Sequence, residues 1–150
     1  MLVLMALPNR VAQIAFVVRD IEQARHRFAK LFGCEPPEVM TTPPGLEVGQ
    51  TFEGEPSDAQ AHLAFFNLEN VQIELIQPTG GNSSWQQFLD QHGEGVHHLG
   101  FWTEDMAASR AELESQGYPM FHRGDFPGGE FAYHNSGEAI GALIELLGKR

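Results

Sequence analysis

Gly93 to Asp105 reads GEGVHHLGFWTED, and this stretch decides the fold because an earlier one repeats its plan. Near the N-terminus, AQIAFVVRD (12–20) also sets a polar residue in a short apolar run, with an Asp seven positions later. Gln13 aligns with His98, an offset of 85, and the same offset pairs Phe16 with Phe101, Asp20 with Asp105 and Arg25 with Arg110. A second echo lies downstream, where VQIELI (71–76) matches ALIELL (142–147) and Glu74 falls on Glu145. The chain is an internal duplication, and its repeat is far too long for a solenoid unit. Two half-chain copies predict two similar modules facing each other.

Each copy predicts the same order of elements. Val11–Val18 alternates as a strand, with Gln13, Ala15 and Val17 on one face and Ile14, Phe16 and Val18 on the other. Asp20 caps the following helix, with Gln23 completing a capping box and Gly33 stopping it. CEPPEVMTTPPG (34–45) holds four prolines and reads as loop or edge. Leu46–Phe52 is a weakly alternating strand, and EGEPSDAQ (53–60) a polar turn or mobile loop. Ala61–Asn67 and Val71–Gln77 form a hairpin. PTGGN (78–82) links the modules, and Ser83 or Ser84 caps a short helix that buries Trp85, Phe88 and Leu89. The second module then has a strand at Val96–Thr103, a helix from Asp105 to near Gly117, and strands at 118–123, 130–134 and 139–147, with GDFPGG (124–129) as a loop. The expected fold is therefore α+β, one domain over 1–150, with module one at about 9–78 and module two at about 83–150.

Composition excludes several classes of function. Nine basic against twenty acidic residues give a formal charge of −11, which repels phosphate backbones and anionic lipid. No run is long enough for a membrane helix, and MLVLMALP (1–8) reads as a strand or arm rather than a signal peptide. The single cysteine, Cys34, excludes an intrachain disulfide and fits a reducing compartment, the cytoplasm. These features make nucleic-acid and membrane partners unexpected.

Four polar residues sit inside otherwise apolar strands. A Glu within IEL is ordinarily a solvated residue on the wet face of a half-buried strand. That explains Glu74, whose face carries Gln72 and Ile76, but not Glu145, whose face carries Leu143 and Leu147. An inward carboxylate needs a partner or a cation. His97 and His98 are expected on opposite sheet faces, since side chains alternate along a strand. If the modules pack about a pseudo-two-fold axis, Gln13, Glu74, His98 and Glu145 converge. One imidazole, one amide oxygen and two carboxylates suit Zn²⁺, Ni²⁺, Co²⁺, Mn²⁺ or Mg²⁺.

AQIAFVVRDIEQARHRFAKLFG, VQIELIQP, FLDQHGEGVHHLGF and GALIELL together resemble the vicinal oxygen chelate superfamily, which includes glyoxalase I, methylmalonyl-CoA epimerase and extradiol dioxygenases. The resemblance spans nearly the whole chain. It implies paired βαβββ modules curling a sheet around a divalent metal held by Gln13, Glu74, His98 and Glu145. FLDQHGEGVHHLGF is most similar to the epimerase branch, which usually has His where this chain has Gln13 and Gln where it has Glu74. The donor set as a whole is similar to one form of glyoxalase I.

Both branches imply an isomerase that removes a proton alpha to a carbonyl polarised by the metal. Glu145 is expected as the principal base and Glu74 as its partner on the opposite face. An epimerase acting on a 2-substituted acyl thioester is the leading expectation, with glyoxalase I chemistry second. A metal-free protein that sequesters small molecules is the reading from another class. Loops 36–45 and 124–129 are expected to border the cleft, with Phe126 and Phe131 as an apolar wall, and the chain to form a homodimer. Whether the site lies within one chain or between two is left open by the sequence.

Overall fold

The computed structural model describes residues 7–150. Met1–Ala6, most of the stretch read as a strand or arm, lies outside the described residues. Strand β1 (Gln13–Val17) leads into helix α1 (Ile21–Phe32). Asp20 caps that helix by accepting from the Gln23 amide at 3.1 Å, and Gly33 closes it with a φ of 66° that glycine adopts without strain. Two short strands, β2 (Met40–Thr41) and β3 (Thr51–Phe52), flank a 3₁₀ turn at Gly45–Val48. β4 (Glu55–Pro56), β5 (Gln60–Asn67) and β6 (Gln72–Gly80) complete the first half.

The second half opens with helix α2 (Ser84–His92), capped by Ser83 through the Gln86 amide at 3.0 Å. Strand β7 (Gly95–Thr103) and helix α3 (Met106–Ser115) follow, the latter capped by Asp105. β8 (Met120–Phe126), β9 (Gly129–His134), the helical turn α4 (Gly137–Ile140) and β10 (Leu143–Lys149) finish the chain.

All ten strands among the described residues join one curled sheet in the order β2-β5-β6-β1-β7-β10-β9-β8-β3-β4. The antiparallel β1–β7 pair is the seam between the copies, with Gln13 opposite Gly100 and Ala15 opposite His98. Outward from the seam, β1 runs parallel to β6 and β7 parallel to β10. The repeat read in the sequence is thus a pseudo-two-fold about the seam, contained in one chain.

Alternation sorts the residues as expected. Ile14, Phe16, Ile73 and Leu75 pack beneath α1, while Leu99, Phe101, Ile144 and Leu146 form the matching cluster that includes Leu113 of α3. A third cluster, with Ala15, Val17, Ile76, Trp85, Tyr133 and Leu143, lies on the opposite face of the sheet. That face bears the polar residues of interest.

Five local expectations need correction. Of residues 46–52 only Thr51–Phe52 is strand, after a 3₁₀ turn, and the polar stretch that follows contains β4. The β3–β4 hairpin leaves module one and pairs with β8, so the module boundary at 78 is not clean. GDFPGG is not a loop throughout, since Gly124–Phe126 belongs to β8 and pairs with β9. Ala139 and Ile140 end a helical turn, and the last strand begins only at Leu143, after Gly141 takes a φ of 83°.

Candidate functional site

The four polar residues singled out in the sequence meet on the concave face. Gln13 and His98 come from the two seam strands, and Glu74 and Glu145 from the strands on either side. In the register, Glu74 lies beside Ala15 and Glu145 beside Gly100, which are equivalent positions of the two copies. His98 Nε2 is 2.8 Å from Gln13 Oε1, 3.3 Å from Glu145 Oε1 and 4.0 Å from Glu74 Oε1. Gln13 Nε2 donates to Gln72 Oε1 at 2.8 Å and to Glu74 Oε2 at 3.3 Å. All four side chains are buried.

Small residues make this convergence possible. A Cβ on Gly100 would lie 3.0 Å from Gln13 Cβ and 3.1 Å from Glu145 Oε1, so any larger residue would push the carboxylate aside. Sequence reasoning missed Gly100, although a glycine inside a strand two positions from His98 was the available signal.

One expectation fails here. His97 and His98 do not face opposite ways, since their Nδ1 atoms lie 2.8 Å apart and both rings are fully buried. The pairing slips at this point: Ala15 faces His98 and Phe16 faces Val96, so His97 is the extra residue of a β-bulge. A bulge breaks alternation and re-aims a side chain, as here.

Burial governs the ionisation of the cluster. It pushes Glu145 up to about 8, an effect that the nearby Tyr133 hydroxyl partly opposes. It raises Glu74 as well, reinforced by the charge of Glu145 and relieved by the hydrogen bond from Gln13. Burial holds His98 down at about 3 and lowers His97 and His122 well below the usual imidazole range. Tyr133, whose hydroxyl accepts from Trp85 Nε1 at 3.1 Å, is raised by burial and then by the two carboxyls. Neither Tyr133 nor His122 stood out in the sequence, because nothing in local spacing brings β8 and β9 to the seam.

The donor chemistry fits a divalent cation. Glu145 Oε1 is buried without a hydrogen-bond partner, and three acceptor oxygens crowd one imidazole nitrogen. No group of three or more His, Cys, Asp or Glu side chains among the described residues is set as an open cation cage. The donors instead close on one another, and a cation would replace those mutual contacts.

Beside the donors opens a cleft of about 410 Å³. Leu63, Phe65, Trp102, Phe126, Phe131 and Leu147 supply much of its wall, and among the described residues no Lys or Arg lines it. Met40, Thr42 and Pro43 from one expected loop and Asp125, Phe126 and Pro127 from the other border it, as the sequence predicted.

Comparison with known proteins shows the family. The sequence pattern of the Glyoxalase/Bleomycin resistance protein/Dioxygenase superfamily matches residues 12–134. The chain belongs to that superfamily. The matched stretch contains Gln13, Glu74 and His98 and stops short of Glu145. Within the superfamily, the chain is 28% identical over 121 residues to the ethylmalonyl-CoA/methylmalonyl-CoA epimerase of Cereibacter sphaeroides, covering 78% of each protein. It is 27% identical over 143 residues to an uncharacterised Bacillus subtilis protein, covering 92% of this chain and 91% of that one. A methylmalonyl-CoA epimerase solved with methylmalonyl-CoA and NH4+ shares the glyoxalase-like fold at a TM-score of 0.64 and 23% identity, over 93% and 94% of the two chains. The methylmalonyl-CoA epimerase of Mycobacterium tuberculosis superposes at a TM-score of 0.64 and 19% identity, over 99% and 93%. Among the described residues, no helix is long and apolar enough to cross a membrane.

Proposed function

We propose that this chain is a divalent-metal-dependent epimerase of 2-substituted acyl thioesters. The observation that carries the reading is the convergence of Gln13, Glu74, His98 and Glu145 around one imidazole nitrogen, in a chain whose relatives include epimerases. Gln13, Glu74, His98 and Glu145 would hold the cation, which supplies Lewis-acid polarisation of the substrate carbonyl. Glu145, when free of the cation, takes the α-proton, since burial then raises its affinity for a proton into the range useful for general-base chemistry. Glu74, across the seam, returns a proton to the opposite face. Gln13 holds Glu74 through its amide, and Gly100 leaves room for Glu145 to approach.

The cleft supports a division of the substrate. Its walls receive the acyl substituent, and with no Lys or Arg in the lining an anionic thiol carrier such as coenzyme A stays at the mouth. The chain acts as a homodimer in the cytoplasm, a compartment suited to its exposed lone cysteine. Light scattering that finds only monomer at micromolar concentration would remove the dimer.

A second reading rests on the donor set, which is similar to that of one form of glyoxalase I. Incubation of metal-loaded protein in deuterated water separates the two. Methylmalonyl-CoA and ethylmalonyl-CoA are the first thioesters to try, beside a thiohemiacetal of glutathione. Deuterium at the α-carbon with unchanged constitution is expected. Conversion of the thiohemiacetal to a hydroxyacyl thioester, without exchange into the acyl thioesters, would favour glyoxalase chemistry instead.

A further inference from the structure

Behind His98 runs a buried polar chain that the proposed chemistry leaves unused. It passes from Gln50, just before β3, to His122 on β8, to Ser84 in the first turn of α2, and through His97 to His98 on β7. The contacts are His122 Nε2 to Gln50 Oε1 at 2.7 Å, Ser84 Oγ to His122 Nδ1 at 2.8 Å, His97 Nε2 to Ser84 Oγ at 3.1 Å, and His97 Nδ1 to His98 Nδ1 at 2.8 Å. None of the five side chains is more than 3% exposed.

The direction of these hydrogen bonds follows from one backbone group together with a neutral His97. The amide of Ser84, in the first turn of a helix and so without an intrahelical acceptor, donates to His122 Nδ1 at 3.3 Å. A main-chain N–H can only donate, so His122 Nδ1 is an acceptor and its proton sits on Nε2. Nε2–H then donates to Gln50 Oε1, whose amide is oriented by Nε2 donating to the Ala59 carbonyl at 3.2 Å. At 2.8 Å from an acceptor, Ser84 Oγ must donate to His122, which leaves it to accept from His97 Nε2–H. A neutral His97 then has its lone pair on Nδ1 and accepts from His98 Nδ1–H. The bulge at His97 brings these two nitrogens together; regular alternation would part them.

We infer that Gln50, His122, Ser84 and His97 form a tautomer lock that fixes the proton of His98 on Nδ1 and aims its Nε2 lone pair at Gln13, Glu74 and Glu145. This inference rests on the metal-site reading above. It goes further by assigning positioning roles to four residues, of which His122, Ser84 and His97 lie outside the lining of the cleft. Without the lock, His98 would donate from Nε2 to Gln13 Oε1 or Glu145 Oε1, and that proton would stand where a cation must bind. With it, His98 Nε2 and Gln13 Oε1, 2.8 Å apart, face each other as two acceptors with no proton between them, a repulsion that a cation between them would relieve. Hydrogen bonds behind a ligating imidazole typically change metal affinity by ~10- to 100-fold.

The test reads the imidazole protons directly, by long-range ¹H–¹⁵N correlation on the full chain, first metal-free and then with Zn²⁺. His97 and His122 are expected as Nε2–H and His98 as Nδ1–H in both states. A metal-free protein with His97 protonated on Nδ1, or His98 on Nε2, would overturn the lock. Ser84→Ala removes the hydroxyl link, and His98 is then expected to populate both tautomers while Zn²⁺ affinity falls ~10- to 100-fold. Ser84→Thr should restore both. A Ser84→Ala protein with lowered Tm but unchanged tautomers and affinity would reduce the chain to a structural role. If wild-type protein shows the expected tautomers and binds no metal, the proposed function fails while the lock stands.

Discussion

The two halves of the site share a backbone plan and differ in what surrounds their carboxylates. On the β6 side, Glu74 takes a hydrogen bond from Gln13, whose amide also reaches the half-buried Gln72. On the β10 side, Glu145 has an oxygen with no hydrogen-bond partner, amid Tyr133 and the histidine chain. Duplication thus supplied two equivalent positions, and the packing around them gave the two carboxylates different surroundings. The carboxylate held by an amide suits a returning acid, and the one with a free oxygen suits the base.

Removing the residue common to both halves should have the largest effect. His98→Ala is expected to lower divalent-metal affinity by more than about 100-fold, beyond what loss of an outer hydrogen bond does, as read by competition with a chelating dye. Retention of wild-type affinity would break the assignment of both halves at once.

The asymmetry itself is tested next. Glu145→Gln, loaded with metal, should slow α-proton exchange by ~10²- to 10⁴-fold. Glu74→Gln should still exchange deuterium into one epimer while losing inversion. If the two variants behave alike, the difference in surroundings carries no chemical consequence.

Gly100→Ala sharpens the packing argument. Its Cβ would lie 3.1 Å from Glu145 Oε1, and the resulting strain should lower stability by ~1–3 kcal/mol and weaken metal binding. An unaffected variant would show that the carboxylate has room to shift.

The smallest expected effect is a pH dependence of the metal-free protein. Glu145, raised from 4.5 to about 8, contributes stability that is fully present below 4.5 and lost as pH rises through about 8. His98, lowered from 6.5 to about 3, contributes stability present above 6.5 and lost as pH falls toward about 3. Thermal melts in chelator should therefore peak between those unfolded values, and Glu145→Gln should flatten the alkaline limb. A wild-type maximum above pH 8 would contradict the burial argument.

Much of this was legible because it depends on periodicity. The offset between Gln13 and His98 gave the seam, strand alternation gave the concave face, and the apolar neighbours of Glu145 marked it as inward. Capping chemistry placed α1 and α3 within a residue or two. What stayed hidden depends on departures from periodicity. The bulge at His97 breaks alternation without a Gly or Pro to announce it. The crossing of β3–β4 to β8 joins segments some seventy residues apart, as does the bond from His122 to Gln50. Neither leaves a local signature.

The central claim is that one cation is held between the two halves by donors from both. Elemental analysis of protein purified without chelator, followed by titration with Zn²⁺, Co²⁺, Ni²⁺ and Mn²⁺, tests it most directly. One divalent ion per chain in wild type, lost in His98→Ala and weakened in Glu74→Gln and Glu145→Gln alike, is the predicted result. A wild-type protein that carries no metal and takes up none of the four would contradict the account and leave the apolar cleft as the site of a metal-free binding protein.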